Sequence, residues 1–155
     1  MKRTQLVTLL SLFIGGGAIS YLTLHLLYRT SRNLPRLPWS TAPLLFLLAL
    51  VLFITSLNIN RRLEERRKNK NQKKAIDPLF LARLVLLAKS AAHGGALLSG
   101  VYAGFSATYL VLFAHLQDSS LIWNPILDSI AALLVSIGGY LLEHVLTIRD
   151  DGNDN

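Results

Sequence analysis

The sequence predicts an all-α integral membrane protein, a four-helix bundle built as two transmembrane hairpins with both termini inside the cell. Three observations carry this. Of 155 residues, 52% are hydrophobic and only 16% charged, against about 25% charged in an average soluble domain. Mean hydropathy is +0.42 although 16 Lys and Arg against 9 Asp and Glu leave a net charge of +7, so the charges are concentrated between long apolar runs. Those runs number four, at about 6–28, 39–59, 79–113 and 123–146, each at least the ~20 residues that cross a ~30 Å hydrocarbon layer.

The first run, Leu6 to Tyr28, follows Lys2-Arg3 and holds small residues at Gly16 and Ala18, features it shares with a secretory signal. Its apolar character continues well beyond Ala18, so an uncleaved helix is expected. The second opens with Ser40 or Thr41 before Pro43, the third with Asp77 before Pro78, and the fourth with Asn124 before Pro125. These are start signals, because a first helical turn leaves amide donors unpaired and tolerates a missing N–H. The third run is too long for a simple crossing, since roughly 35 helical residues extend about 50 Å. Either its first three turns, carrying Arg83, project into the headgroups, or the helix breaks at Gly94-Gly95. Protrusion is the expectation adopted. Residues 60–77 are expected to form a basic cytoplasmic loop and 149–155 a disordered acidic tail.

Orientation follows from Lys and Arg near the spans, because basic residues resist translocation. The N-terminus has Lys2 and Arg3, the second connection Arg61, Arg62, Arg66, Arg67, Lys68, Lys70, Lys73 and Lys74, and the C-terminus Arg149. The opposite side has only Arg29, Arg32 and Arg36. Both termini are therefore expected in the cytoplasm of a multi-pass cell-membrane protein. The eight-residue basic cluster is also a candidate site for anionic lipid. Glu64, four residues before Lys68, favours prolonging the second helix into this connection.

In lipid, helices gain no hydrophobic energy by pressing together, so association relies on small side chains and polar contacts. In the third run Ala88, Ala92, Ala96, Gly100, Gly104 and Thr108 recur every four residues. The fourth run has a matching stripe of Ser129, Ala132, Ser136, Gly139 and Glu143, which is the expected partner of that ladder. Gly15-Gly16-Gly17 and Ser20 form a further patch in the first run. The ladder either holds this bundle together or mates with a second copy or another membrane protein.

Charges inside apolar runs persist only with a reason, since Lys at bilayer depth costs about 2.5–3.5 kcal/mol on insertion scales. Lys89 shares its helix face with His93, Ala96 and Gly100, which predicts a packed environment. An antiparallel third and fourth helix would put Glu143 level with residues near 83 and 84, giving it Lys89 or Arg83 as an ion-pair partner. The bland account is a snorkelling Lys and a pair that fixes register; the sharper one is a ligand, proton or anion site. Asp128, expected in the first turn or two of the fourth helix, reads as a partner of the helix dipole.

No cofactor or catalytic motif is present. Cysteine is absent, and His25, His93, His115 and His144 are scattered without metal-ligand spacing. The basic connection lacks the interleaved aromatics that stack on nucleobases, so nucleic acid is not an expected partner.

Asp77-Pro78-Leu79, Ala82-Arg83, Leu87-Ala88-Lys89, Gly95-Ala96, Gly100, Tyr102, Gly104 and Leu141-Leu142-Glu143 resemble the motifs of an actinobacterial family of small four-helix membrane proteins of unknown function. The resemblance implies the same helix profile over nearly the full length, and genes often lying beside those of folate biosynthesis. After Glu143 the chain departs from the pattern with His144-Val145-Leu146. The family has no activity to carry over. The residues favour a non-enzymatic scaffold or accessory subunit. The alternatives are a small oligomeric transporter or channel using Lys89, His93 and Glu143, and a membrane-bound enzyme.

Overall fold

The computed structural model describes residues 5–31, 41–68, 78–113 and 120–147. Each stretch is essentially one helix: α1 Leu6–Ser31, α2 Thr41–Lys68, α3 Pro78–Phe113 and α4 Ser120–Thr147. Leu6–Thr30, Thr41–Ile59, Ala82–Leu112 and Trp123–Leu146 are long and apolar enough to cross a membrane. The protein is an all-α membrane protein with four such helices. Helix is what a spanning chain requires, because lipid offers no partner to a backbone N–H or C=O.

Three features of the elements bear on the expectations. α3 runs unbroken through Gly94-Gly95 for 36 residues, about 54 Å at 1.5 Å per residue. It begins at Pro78, the residue type suited to a first turn. α2 continues past the apolar segment to Lys68, so the first half of the 60–77 connection is helix rather than loop. α4 starts at Ser120, ahead of the Asn124-Pro125 signal. Pro125 is tolerated inside the helix because its position near the start forfeits only one early hydrogen bond, and its ring is fully buried.

The helices pack in the order α1, α3, α4, α2. Gly95 meets Ala132 and Ser136, and Gly139 meets Ala88 and Ala92, so α3 and α4 are antiparallel. Gly100 meets Phe13 and Gly104 meets Gly17, so α1 lies parallel to α3. Gly138 meets Ala49 and Leu52, and Asp128 meets Thr41, which sets α2 parallel to α4. Among the described residues α1 and α2 do not form a packed pair. Only the second of the two expected hairpins is therefore a packed unit; the helices of the first lie on its two flanks. The reason is the distribution of small residues. α3 and α4 carry them on two faces each, whereas α2 has no glycine and α1 has one patch.

The interior is correspondingly divided. Ala49 and Leu52 of α2 meet Ala88 of α3 and Val135, Leu142 and Leu146 of α4. Leu9 and Leu12 of α1 meet Ala92, Ala96 and Tyr140 on the other side of the α3–α4 pair. The outward faces are apolar, including Leu22, Leu47, Leu86 and Ile137, as lipid contact demands.

Candidate functional site: buried polar groups along the fourth helix

The α3–α4 seam is closed by serines. Ser99 Oγ donates to the Ser129 carbonyl at 3.0 Å, Ser129 Oγ donates back to the Ser99 carbonyl at 3.1 Å, and Ser136 Oγ donates to the Ala92 carbonyl at 2.9 Å. These reciprocal bonds require the backbones to approach closely. Gly95 and Gly139 permit it: a Cβ on Gly95 would lie 2.6 Å from the Ser136 nitrogen, and one on Gly139 2.6 Å from the Ala92 nitrogen. Ala92, Ala96, Ser136 and Gly139, all singled out from the sequence, are buried here.

The ladder does not face one partner along its length. Its upper glycines serve α1. A Cβ on Gly100 would overlap the Phe13 carbonyl, and one on Gly104 would lie 2.5 Å from the Gly17 carbonyl. Ser20 sits beside Gly104 with its hydroxyl buried and without a hydrogen-bond partner. α4, the expected partner, thus receives only the lower part of the ladder. A row repeating every four residues advances 400° per step, so it drifts 40° around the helix and reaches a second neighbour.

Among the described residues the expected ion pair does not form. Glu143 is buried at 5% exposure and has an interaction of its own, but Lys89 and Arg83 are both exposed, and neither is paired with it. His93 is half-buried, its Nδ1–H donating to the Lys89 carbonyl at 2.8 Å. The packed environment expected for Lys89 is thereby corrected: its side chain is exposed although Ala88 and Ala92 beside it are buried.

Sequence reasoning undervalued the other carboxylate. Asp128 is 1% exposed, and Thr41 Oγ lies 2.8 Å from both of its oxygens. Tyr102 on α3 lies near the same place, within electrostatic reach of Thr41 and Asp128. Asp128 is the ninth residue of α4, in its third turn, beyond the dipole's first-turn reach. The expected dipole partner is thus a bridge joining α2, α3 and α4. No spacing signal links Thr41 to Asp128; only the docking of α2 brings them together.

A family model described as a protein of unknown function (DUF3180) matches residues 9–150. The chain belongs to this family. The match reaches all four helices, so Asp128, Glu143 and the serine seam all lie within the matched residues. No curated protein and no solved structure matches the chain.

The remaining candidates in this DUF3180 chain are peripheral. Arg61 is exposed. Arg62, Arg66, Arg67 and Lys68 ride on the helical extension of α2. Lys70, Lys73, Lys74 and Asp77 lie outside the described residues, as does the 149–155 tail. Among the described residues no three His, Asp or Glu side chains gather as a metal site. His25 stacks on Tyr21 and His144 on Tyr140, at ring separations of 6.0 and 6.3 Å.

Proposed function

We propose that the protein is a non-enzymatic scaffold or accessory subunit of the cell membrane, with both termini and the 60–77 connection cytoplasmic. One observation carries this reading. The three seam serines spend their hydroxyls on the opposite helix's carbonyls, and glycines close the space around them, so these polar atoms hold helices rather than serve a solute. The eleven basic residues on one side against three on the other support the orientation, and the eight in 61–74 support contact with anionic lipid of the cytoplasmic leaflet. The Asp77 to Gly104 motifs support an actinobacterial source.

As a scaffold, the protein presents apolar flanks of α1 and α2 to a second copy or another membrane protein, while α3 and α4 supply the rigid centre. The test is photo-crosslinking from Leu22 and Leu47, exposed on the two flanks, in native membranes. A discrete crosslinked adduct is expected from at least one flank, and adducts with lipid alone from both would refute the reading. A second reading, transport, is favoured by one feature. Asp128 and Glu143 are both buried on α4, about 22 Å apart along the axis at ~1.5 Å per residue. Proton or cation flux into vesicles carrying the purified protein, abolished by Asp128→Asn, would establish it in place of the scaffold.

A further inference from the structure

Asp128 meets Thr41 in a way that one hydroxyl proton does not satisfy. The carboxyl group is 1% exposed, and Thr41 Oγ lies 2.8 Å from Oδ1 and 2.8 Å from Oδ2. A hydroxyl has a single proton to donate. An ionised carboxylate would offer two acceptor oxygens to that one donor, buried within the segment of α4 that is apolar enough to cross a membrane. The neutral acid supplies the second proton. Its own O–H then donates to Thr41 Oγ while the Thr41 O–H donates to the remaining carboxyl oxygen, a closed ring of two hydrogen bonds between the same two side chains.

The surroundings offer nothing to offset a negative charge. Pro125, Ala131 and Ala132, one turn to either side on α4, are fully buried, and the nearest titratable group described on α4 is Tyr140, about 18 Å along the axis. From α3 the titratable group beside Asp128 is Tyr102, a phenol without positive charge. From α2 it is met by Thr41, which does not titrate, and Arg61 of that helix is about 30 Å away along the axis. The Ser99–Ser129 bonds set Asp128 level with Gly100, which leaves His93 about 10 Å and Lys89 about 16 Å away along α3. α1 packs against α3 rather than α4. Among the described residues no cation is paired with Asp128, and a lone buried carboxylate resolves its desolvation by taking up a proton.

We propose that Asp128 is a proton-binding site, protonated in the folded chain at neutral pH, and that this proton secures the start of α2 on α4. Thr41 is the first residue of α2 and is half-buried. Trp123, which is exposed, opens the apolar segment of α4, and Asp128 lies about 8 Å further along the axis. The ring therefore has a short path for exchange with water. Loss of the proton to water leaves a carboxylate with one hydroxyl donor for two oxygens, the ring opens, and alkaline pH loosens α2. The site requires neither scaffolding nor transport and neither orientation of the chain, so its failure would leave those readings standing.

The test uses the amide that copies the acid. In Asp128→Asn the side-chain NH2 donates to Thr41 Oγ and the carbonyl accepts from its O–H, so the ring persists without a titratable proton. Unfolding of the full chain in detergent titrated with sodium dodecyl sulfate is followed from about pH 6 to about pH 8, above the ~3.9 of an unperturbed aspartic acid. There the folded chain holds one proton more than the unfolded chain, so wild-type stability falls as pH rises. Relative to Asp128→Asn, the folded-to-unfolded ratio of the wild type should drop about tenfold per pH unit. Infrared spectra of the wild type, with a heavy carbon isotope at aspartate Cγ to separate it from Glu143, need no variant: a protonated-carboxyl band should be present at neutral pH and fade as the pH is raised. Parallel pH dependence in the wild type and Asp128→Asn, or an aspartate spectrum wholly ionised at neutral pH, would overturn the site.

Discussion

Adjacent glycines in α3 should respond to the same substitution with opposite signs. Gly95→Ala adds a methyl whose carbon would lie 2.6 Å from the Ser136 nitrogen, 2.9 Å from its Cα and 3.0 Å from the Ala132 carbonyl. All three are backbone atoms, so no side chain can swing away. Ordinary contact begins near 3.4 Å, which requires α4 to move out by about 0.8 Å locally. That movement stretches the Ser99–Ser129 pair and the Ser136–Ala92 bond from 2.9–3.1 Å to about 3.8 Å, beyond hydrogen-bonding range. Interhelical bonds in membranes are worth about 0.6 kcal/mol each, and overpacking costs roughly 1–3 kcal/mol. After a helix-propensity gain of about 0.5–1 kcal/mol, the net loss is about 3 kcal/mol. Gly94 has nothing within 4 Å of its would-be Cβ, so Gly94→Ala should keep only the propensity gain. Reversible unfolding in detergent titrated with sodium dodecyl sulfate, followed by helical circular dichroism, measures both. Equal shifts for the two variants would refute the seam as described.

Four further outcomes follow from the same structure. Gly100→Leu and Gly104→Leu should detach α1 and lower the melting temperature far more than Leu97→Ile or Leu110→Ile, because a side chain on either glycine would run into α1 backbone, whereas the Leu97 and Leu110 side chains are exposed; four equal melting temperatures would remove the close approach. Thr41→Val should cost about 1–3 kcal/mol by withdrawing a hydroxyl from a buried carboxyl group, with Thr41→Ser near wild type; a harmless Thr41→Val would mean that Asp128 is satisfied without it. Glu143→Gln and Lys89→Met should combine additively within about 0.5 kcal/mol, since the two side chains are not paired; a strong coupling in the double-mutant cycle would restore the ion pair. Single cysteines at Arg32 and Asn71 should label on opposite sides with an impermeant thiol reagent, and labelling of Asn71 from outside intact cells would invert the proposed topology.

The elements themselves were legible because the bilayer is a strict solvent. A span must be a continuous apolar run with its backbone bonded internally, and four runs of that kind have few other readings. The α3–α4 face was legible too, since small and hydroxyl residues at steps of three and four mark close approach. Gly139 packs between Ala88 and Ala92, which sets Glu143, one turn on, within a turn of its expected level on α3. The order of helices was not legible. Hydrophobic patterning tells inside from outside in water, but in lipid an apolar flank suits a neighbour and an acyl chain equally. Nothing in the sequence of α1 therefore says that it lies beside α3 and away from α2. Lys89 shows the consequence: sharing a helix face with His93, Ala96 and Gly100 suggested a packed side chain, yet it is exposed.

Asp128 shows how much a misplaced start signal can hide. Pro125 suggested a helix beginning there, which would put Asp128 in the first turn or two and let the backbone dipole account for it. With α4 starting at Ser120, that account fails, because the dipole's influence falls off within one turn, and a buried carboxyl group needs partners of its own. Its partner comes from another helix, Thr41 by two 2.8 Å contacts, with Tyr102 of α3 nearby. Thr41 is the first residue of α2, the least tightly packed flank, since a Cβ on Gly138 would meet Leu52 no closer than 3.3 Å. An isolated α3–α4 pair would leave Asp128 facing lipid, at a cost of several kcal/mol if charged. Docking of α2 and burial of Asp128 are therefore one event. The bridge gives α2 a specific depth and rotation on α4 that its leucine-rich surface alone does not encode.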